Sequence, residues 1–559
     1  MIKKYLPKTE FSSYDDFMEN YSVNVPPDFN FGYDIVDEWA HLEPQKPALL
    51  WCDDRFETKH YTFADVKELS NKAANAFVKL GIKKGDVVML ILKQRPEVWW
   101  SMIALCKIGA ICIPATYQLT TKDIVYRCNS AGIKMIVTVD DSELLANIQR
   151  AQDKCASLQT VAVVGDTLTQ KIKNLPEGYV NFQEEIAQAA PDFERVENKS
   201  EDPTLIYFSS GTSGMPKMVL HDHTLALGHI VTALFWQRVQ NNTIHWTQTD
   251  SGWAKFAWGK IYGQWICGAT VGAYDTEKFV PEMMLKAIEI IRPTTFCAPA
   301  TIYRYLIKED LSGTDFSFIQ HASVAGEPLN PEVYHQIKQK TGLTIHEGFG
   351  QSEGSVLLAN FGWDEIKPGS MGKPAPLYDI KLLDDYDREC EKGDIGVISV
   401  TGINKKHPTG LFKKYYLDEE TTAACWNAEK GIYKTGDMAW CDADGYFWFV
   451  GRSDDVIKCS GYRIGPFEVE NALLEHPSVL ECAVTAAEDP LRGQVVKATI
   501  VLVKTFTASE ELKKELQNHV KKVTAPYKYP RIVEFVDELP KTVSGKIRRN
   551  EIRKQDAKV

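Results

Sequence analysis

The chain predicts an α/β fold built on parallel sheets, followed by a small α+β unit. Three observations carry this. Apolar runs of strand length alternate with amphipathic stretches of helix length. Strand, helix and strand in succession imply a parallel pair joined by a crossover. Near residue 451 the style changes to a dense polar and glycine-rich segment.

The 559 residues are too many for one compact domain and correspond to about two to four folding units. Lysine and arginine number 64 against 75 acidic residues, a net charge of −11. Hydrophobic residues make up 44% and charged residues 25%, which excludes a disordered chain, a collagen and a coiled coil. The acidic balance argues against a protein that coats nucleic acid or anionic lipid.

Taken in order, the start MIKKYLPKTEFSSYDD has basic residues but no apolar run of signal-peptide length behind them. The richest apolar run, DVVMLIL at 86–92, has strand length and precedes EVWWSMIALCKIGA in the same strand-then-helix rhythm. Residues 134–139 (KMIVTV) and 159–165 (QTVAVVG) read as buried strands. Between them 142–156 reads as a helix, with Leu144, Leu145, Ile148 and Ala151 at helical spacing. Beyond 451, EVENALLEHPSVLECAVTAA (468–487), KATIVLV (497–503), a charged helix at 509–523 and RIVEFV (531–536) suit an α+β unit of roughly 100 residues. The linker is expected at about 451–455. The chain is expected to be cytoplasmic, without membrane insertion. Its twelve cysteines are scattered singly, with no CxxC, and its twelve histidines form no HExxH. That suits a reducing compartment and argues against structural zinc. Nothing in the sequence specifies an oligomeric state.

The chemistry begins where LIYF ends. Ser209, Ser210, Gly211, Thr212, Ser213, Gly214, Met215, Pro216 and Lys217 alternate hydroxyls with glycines and finish on a lysine. Exposed backbone N–H groups, hydroxyls and an ammonium can cradle a polyphosphate. The segment is not a Walker A loop, and its plain alternative is a glycine–serine turn. Glu347, Gly348, Phe349, Gly350, Gln351, Ser352 and Glu353 offer an aromatic face for a base, and a carboxylate, Glu353, for magnesium. The third glycine falls one place late for a dinucleotide fingerprint. In YKTGD, Asp437 follows a glycine turn and can accept from ribose hydroxyls; an ordinary β-turn is the alternative. GRSDD (451–455) and KCSGYR (458–463) concentrate charge at the linker, and PKTVSGKIRR (540–549) presents Lys546 on a glycine turn. A solvated loop and a basic tail are their respective alternatives.

Together and in this order, these five segments resemble the adenylate-forming superfamily of acyl-CoA synthetases, adenylation domains and luciferases, over essentially the whole chain. FGYDIVDEWA (31–40), DSGWAKFAWGKIYGQW (250–265) and VTAPYKYPR (523–531) make it most similar to the medium-chain acyl-CoA synthetases. The resemblance implies an N-terminal domain over 1–452, with α/β layers and a smaller β subdomain, and a mobile C-terminal lid over 453–559. It implies ATP, Mg2+ and coenzyme A, a small carboxylic acid as partner, and two steps through an acyl-adenylate to a thioester.

The roles it implies are these. Ser209 to Lys217 bind ATP phosphates. Gly326, Glu327 and Pro328 line the adenine pocket and Phe349 flanks the ring. Ser352 keeps the hydroxyl of the usual threonine, Glu353 holds magnesium, and Asp437 and Arg452 take the ribose. Asp454 is the hinge, Arg463 approaches the phosphates, and Lys546 enters for adenylation only. Gln118, Ser460, Gly461, Tyr462, Arg492, Lys521 and Tyr529 meet CoA. Trp253, Trp258 and Gly350 shape the acyl pocket; acetate-specific relatives carry tryptophan at the last, so an acid larger than acetate is expected, whether medium-chain, branched or aromatic. A carrier-protein-loading adenylation enzyme shares every ATP motif and is the alternative; a non-catalytic nucleotide-binding regulator is opposed by the presence of Lys217, Glu353, Asp437 and Lys546.

Overall fold

A computed structural model of the chain describes residues 1–209, 215–459, 462–489, 492–541 and 547–556. They divide into two compact units, the first comprising 1–368, 372–379 and 403–424, the second 369–371, 380–402 and the residues from 425 onward.

The first unit holds two large sheets. Among the described residues one has eight strands, in the order Lys414–Tyr415, Lys217–Asp222, Pro203–Ser209, Ile111–Pro114, Val87–Ile91, Ile133–Val139, Thr160–Val164 and Val180–Asn181. Its centre is parallel, as the strand–helix–strand rhythm requires: Val87–Ile91 pairs parallel with Ile111–Pro114 and Ile133–Val139, and the last pairs parallel with Thr160–Val164. The crossover helix Ser142–Gln152 buries Leu144, Leu145, Ile148 and Ala151, the four residues its spacing predicted. Asp141 begins it by accepting the Leu144 N–H. Capping boxes at Thr62 and Thr120 begin the helices Phe63–Lys79 and Thr121–Ala131. The helix Glu97–Ile108 is buried along its whole length, which explains its lack of a polar face.

The second sheet has nine strands among the described residues, in the order Lys373–Pro374, Val356–Ala359, Ile345–Gly350, His321–Val324, Thr295–Ala298, Ile244–Thr247, Thr270–Asp275, Pro47–Asp53 and Thr58–Thr62. From Pro47–Asp53 to Ile345–Gly350 successive neighbours run parallel. Ligands of open parallel sheets sit beyond the carboxyl ends of the strands. The GEP segment (326–328) follows His321–Val324, and the GFG segment lies at the end of the adjacent strand Ile345–Gly350.

Among the described residues the second unit also has two sheets. One pairs Ile432–Cys441 antiparallel with Ile395–Thr401, Trp426–Asn427 and Phe447–Arg452. Gly451 and Arg452 end the last of these strands, opposite Met438 and Asp437, and a turn follows at 453–455, within the segment expected to link the domains. The other sheet joins Gly493–Leu502 antiparallel to Val479–Asp489 and parallel to Ile532–Phe535. The helices Pro466–Leu474 and Glu510–Val523 close a core that includes Val469, Leu473, Leu516 and Val520. This is the α+β unit expected beyond residue 451. Among the described residues no helix is long and apolar enough to cross a membrane.

Candidate active site

In the first unit Ser209 ends one strand of an antiparallel pair and Lys217 begins the other, directly opposite. Ser210, Gly211, Thr212, Ser213 and Gly214 lie outside the described residues. Met215 is exposed, and the Pro216 carbonyl accepts the Tyr126 hydroxyl at 2.9 Å. The Lys217 ammonium lies 5.0 Å from the centre of the Tyr415 ring. The same phenol donates to Glu353 Oε1 at 2.8 Å. Tyr415 reaches this position because its short strand pairs with Lys217–Asp222, placing it opposite Val219. One ring therefore touches both the lysine expected at the phosphates and the carboxylate expected at magnesium. Spacing could not reveal Tyr415, which stands 62 residues from Glu353 in the chain.

Glu353 is buried, and the described residues contain no group of three or more potential metal-ligating side chains. One carboxylate, with substrate phosphates and water completing the shell, is the usual arrangement for magnesium and a poor one for a resident transition metal. The donor set fits Mg2+.

Glu327 accepts the Thr301 hydroxyl at 2.7 Å and Arg304 Nη2 at 3.2 Å. Just before it, the Ala325 carbonyl accepts the Lys255 ammonium at 2.9 Å. Gly348 lies against the Trp236 indole: a Cβ there would stand 2.5 Å from the ring, so only glycine fits. Phe349 is half-buried and Gly350 exposed. The Ser352 carbonyl meets His221 Nε2 at 2.6 Å, and the Gln351 carbonyl accepts the Trp258 indole N–H at 3.5 Å. Trp258 stacks on His229 at 4.6 Å and meets Tyr207 and His221 edge-on at 5.4 and 5.3 Å. Burial lowers His221 to about 4 and His229 to about 3, so both imidazoles beside Trp258 are uncharged at neutral pH. Trp253 is half-buried at the start of the helix Ala254–Lys260, and Gln118 is exposed.

Glu347 is buried, with the Leu329 N–H 3.4 Å from Oε1 and, among the described residues, no hydrogen-bond partner for Oε2. Burial pushes its carboxyl from an ordinary 4.5 up to about 8. Below the ordinary value both folded and unfolded chains hold the proton, and the stability is fully present. As pH rises from 4.5 to about 8 only the unfolded chain releases it, so stability falls, by up to about 1.4 kcal/mol per pH unit. Glu347→Gln keeps a neutral group in place and should lose less stability than the wild type between pH 5 and pH 8 in urea unfolding. Parallel losses in the two proteins would show that this carboxyl ionises as it does in water.

In the second unit Asp437 and Arg452 are cross-strand partners, with Arg452 Nη1 3.3 Å from Asp437 Oδ1 and donating to the Thr435 carbonyl at 3.1 Å. Gly436 turns the chain at φ +77°, a conformation that favours glycine, and the Asp437 N–H reaches the Thr435 hydroxyl at 3.1 Å. The two residues expected at the ribose are thus adjacent. Asp454 is exposed, 3.9 Å from Arg452 Nε. Arg463 pairs with Asp385 at 2.7 Å; both ends are exposed, so the pair contributes no more than about 1 kcal/mol and can yield to a phosphate. Tyr462 is exposed and stacks on Tyr527 at 4.2 Å. The Lys521 ammonium sits 4.1 Å from the centre of the Tyr529 ring, whose hydroxyl accepts from Arg531 at 2.8 Å. Arg492 is exposed beside Gly493, the cross-strand partner of Cys459, which in turn pairs with Tyr462. Tyr527 and Arg531 were not anticipated, although both lie within the VTAPYKYPR segment. Ser460, Gly461 and Lys546 lie outside the described residues.

Lys217 and Glu353, expected at phosphate and magnesium, thus meet on one tyrosine of the first unit, and Asp437 and Arg452, expected at the ribose, pair within the second. Residues 36–416 match the model of the AMP-binding enzyme family, and 468–546 match that of the AMP-binding enzyme C-terminal domain. The chain is 42% identical to mitochondrial acyl-coenzyme A synthetase ACSM3 of Mus musculus, over 100% of its own length and 96% of that protein. The crystal structure of the anthranilate CoA ligase AuaEII in complex with anthranoyl-AMP superimposes with a TM-score of 0.86 at 28% identity, covering 95% of this chain and 98% of the other. That of the Brucella canis acyl-CoA synthetase gives 0.74 at 30%, covering 98% and 99%. The chain belongs to the AMP-binding enzyme family, on its acyl-CoA synthetase branch.

Proposed function

We propose that the chain is an ATP-dependent, AMP-forming acid–thiol ligase that converts a carboxylic acid larger than acetate, of medium-chain, branched or aromatic type, into its acyl-CoA thioester. The observation that carries this is the full-length identity with an acyl-CoA synthetase in a chain that retains all five reaction motifs. In the first step a carboxylate oxygen attacks the α-phosphorus of ATP and the bond to the β-phosphate oxygen breaks, releasing pyrophosphate. In the second the CoA sulfur attacks the acyl carbonyl, the C–O bond to AMP breaks, and the thiol proton is released.

Ser209 to Lys217 hold the β- and γ-phosphates, with Lys217 as the fixed cation. Glu353, oriented by the Tyr415 hydroxyl, would hold Mg2+, which supplies charge neutralisation at the phosphates. Gly326, Glu327, Pro328 and Phe349 receive the adenine, Ser352 the α-phosphate, and Asp437 and Arg452 the ribose. Lys546 bridges the carboxylate and the α-phosphate while negative charge builds in the transition state. The lid, residues 453–559, turns about Asp454 between the steps, a common gate on turnover. Gln118, Ser460, Gly461, Tyr462, Arg492, Lys521 and Tyr529 then serve CoA, and Trp253, Trp258 and Gly350 bound the acyl group. The trio of Trp258, His229 and His221, neutral through burial, supports an apolar acid. A cytoplasmic location is proposed on the singly scattered cysteines, which suit a reducing compartment; fractionation of cells decides between it and the mitochondrial address in the relatives' names.

AMP release measured with and without CoA, over acetate to octanoate with isobutyrate, 2-methylbutyrate and benzoate, tests the reading. CoA-dependent release with one preferred acid above acetate is expected. Pyrophosphate release that CoA does not accelerate for any acid would overturn the CoA half and favour carrier-protein loading.

A further inference from the structure

We infer that Asp455 and Glu470, through Arg553 and Arg549, position the C-terminal helix that follows the PKTVSGK motif, and that this clamp serves the adenylation half-reaction. The inference rests on the two-step reading above and adds positioning residues to it.

The helix Arg549–Asp556 has eight residues, too few to be stable alone. Its apolar anchor is Ile552, packed with Ala483, Val501 and Leu539. The remaining hold is ionic, and the carboxylates are nearly buried: the side chains of Asp455 and Glu470 are each 8% exposed. Arg553 Nη1 meets Asp455 Oδ1 at 2.6 Å. Arg549 Nη2 reaches both oxygens of Glu470, at 2.7 and 2.8 Å, while its Nη1 stands 3.9 Å from Asp455. Glu470 Oε1 also accepts the Val484 N–H at 2.8 Å, tying the pair to the sheet. Buried carboxylates of this kind need their partners, because an unpaired charge there is strongly unfavourable.

The preceding flank is held as well. The Arg548 N–H donates to the Pro540 carbonyl at 2.8 Å, Lys541 and Ile547 form an antiparallel bridge, and the Lys541 ammonium pairs with Glu481 at 2.8 Å. Both ends of the segment that includes Lys546 are therefore fixed. Asp455 is also the second aspartate of the hinge turn, its own N–H bonded to the Arg452 carbonyl at 3.0 Å. Hinge turn and C-terminal helix share one charge network, so a change at the hinge bears directly on the chain three residues beyond Lys546. A structural clamp with no positioning role would weaken both half-reactions alike.

The test compares the full-length wild type with Arg553→Gln, Arg553→Lys, Asp455→Asn and the Asp455→Asn/Arg553→Gln double variant. Acid-dependent exchange of pyrophosphate into ATP reads the first step, and thioester formation from pre-made acyl-adenylate and CoA reads the second. Amide hydrogen exchange over 547–556 reads the helix itself. The expected result for Arg553→Gln and Asp455→Asn is at least a tenfold fall in exchange kcat, KM for ATP and thioester formation each within twofold, and faster amide exchange in the helix. The double variant should be no worse than the poorer single one, and Arg553→Lys should recover part of the loss. Should Asp455→Asn fail to fold, Arg553→Gln, at the partly exposed end of the pair, carries the comparison alone. Equal loss in both steps, or unchanged pyrophosphate exchange, overturns the inference. Absence of any exchange in the wild type overturns the parent reading, and the inference with it.

Discussion

Lys546→Ala should abolish adenylation and spare thioester formation. Removing one pre-organised charge from a developing anion lowers kcat by about 100- to 1000-fold, roughly 3–4 kcal/mol of transition-state stabilisation. Lys546 would also hold both reactants in register, so the loss should lie toward the upper end of that range. ATP would keep the other contacts proposed for it, from Ser209 to Lys217 and from Asp437 and Arg452, so its KM should change little. Acyl-adenylate and CoA supplied directly should still give thioester within about threefold of the wild-type rate, because in the proposed mechanism the lid has turned, and Lys546 has left the site, before the thiol attacks. Half-reaction kinetics of the purified variant decide the matter. Equal loss in the two steps would contradict a role confined to adenylation.

Gly350→Trp should redirect the enzyme toward short acids. A hydrophobic pocket reads each methylene with about 1–3 kcal/mol, and an indole excludes several. Octanoate should lose at least about 100-fold in kcat/KM on that scale, while acetate holds or gains. The backbone imposes a separate strain. Gly350 faces Val356 across an irregular stretch of the antiparallel pair, and a Cβ there would lie 2.8 Å from the Ser355 carbonyl oxygen. Gly350→Ala adds that strain without filling the pocket and is the required control. Alanine should depress all acids by a similar factor, whereas tryptophan should change their ranking. An unchanged ranking with tryptophan would place the end of the acyl pocket elsewhere.

Much of this was legible in the residues. The strand–helix–strand rhythm at 134–165 specified a parallel pair and the buried face of its crossover, because periodicity of 2 or 3.6 is a local property. The five motifs were legible for the same reason: each is a short contiguous piece of backbone and side chain. At 451–455 a polar, glycine-containing segment reads as loop throughout, whereas cross-strand pairing with Asp437 and Met438 keeps Gly451 and Arg452 in the ladder.

Sequence alone thus determined the fold class and the family, and it named the residues proposed for phosphate, ribose and magnesium. Tertiary structure decided which groups meet. It brought Lys217 and Glu353 to one tyrosine, buried Glu347 so that its carboxyl is pushed up to about 8, stacked His229 on Trp258, and tied the turn at 453–455 to the last helix through Asp455 and Arg553. The physical reason is range. Helical and strand spacing bind neighbours within a few residues. Burial, ion pairing and ring contact join positions 62 or 98 apart in the chain, which only the packed sheets bring within a few ångströms.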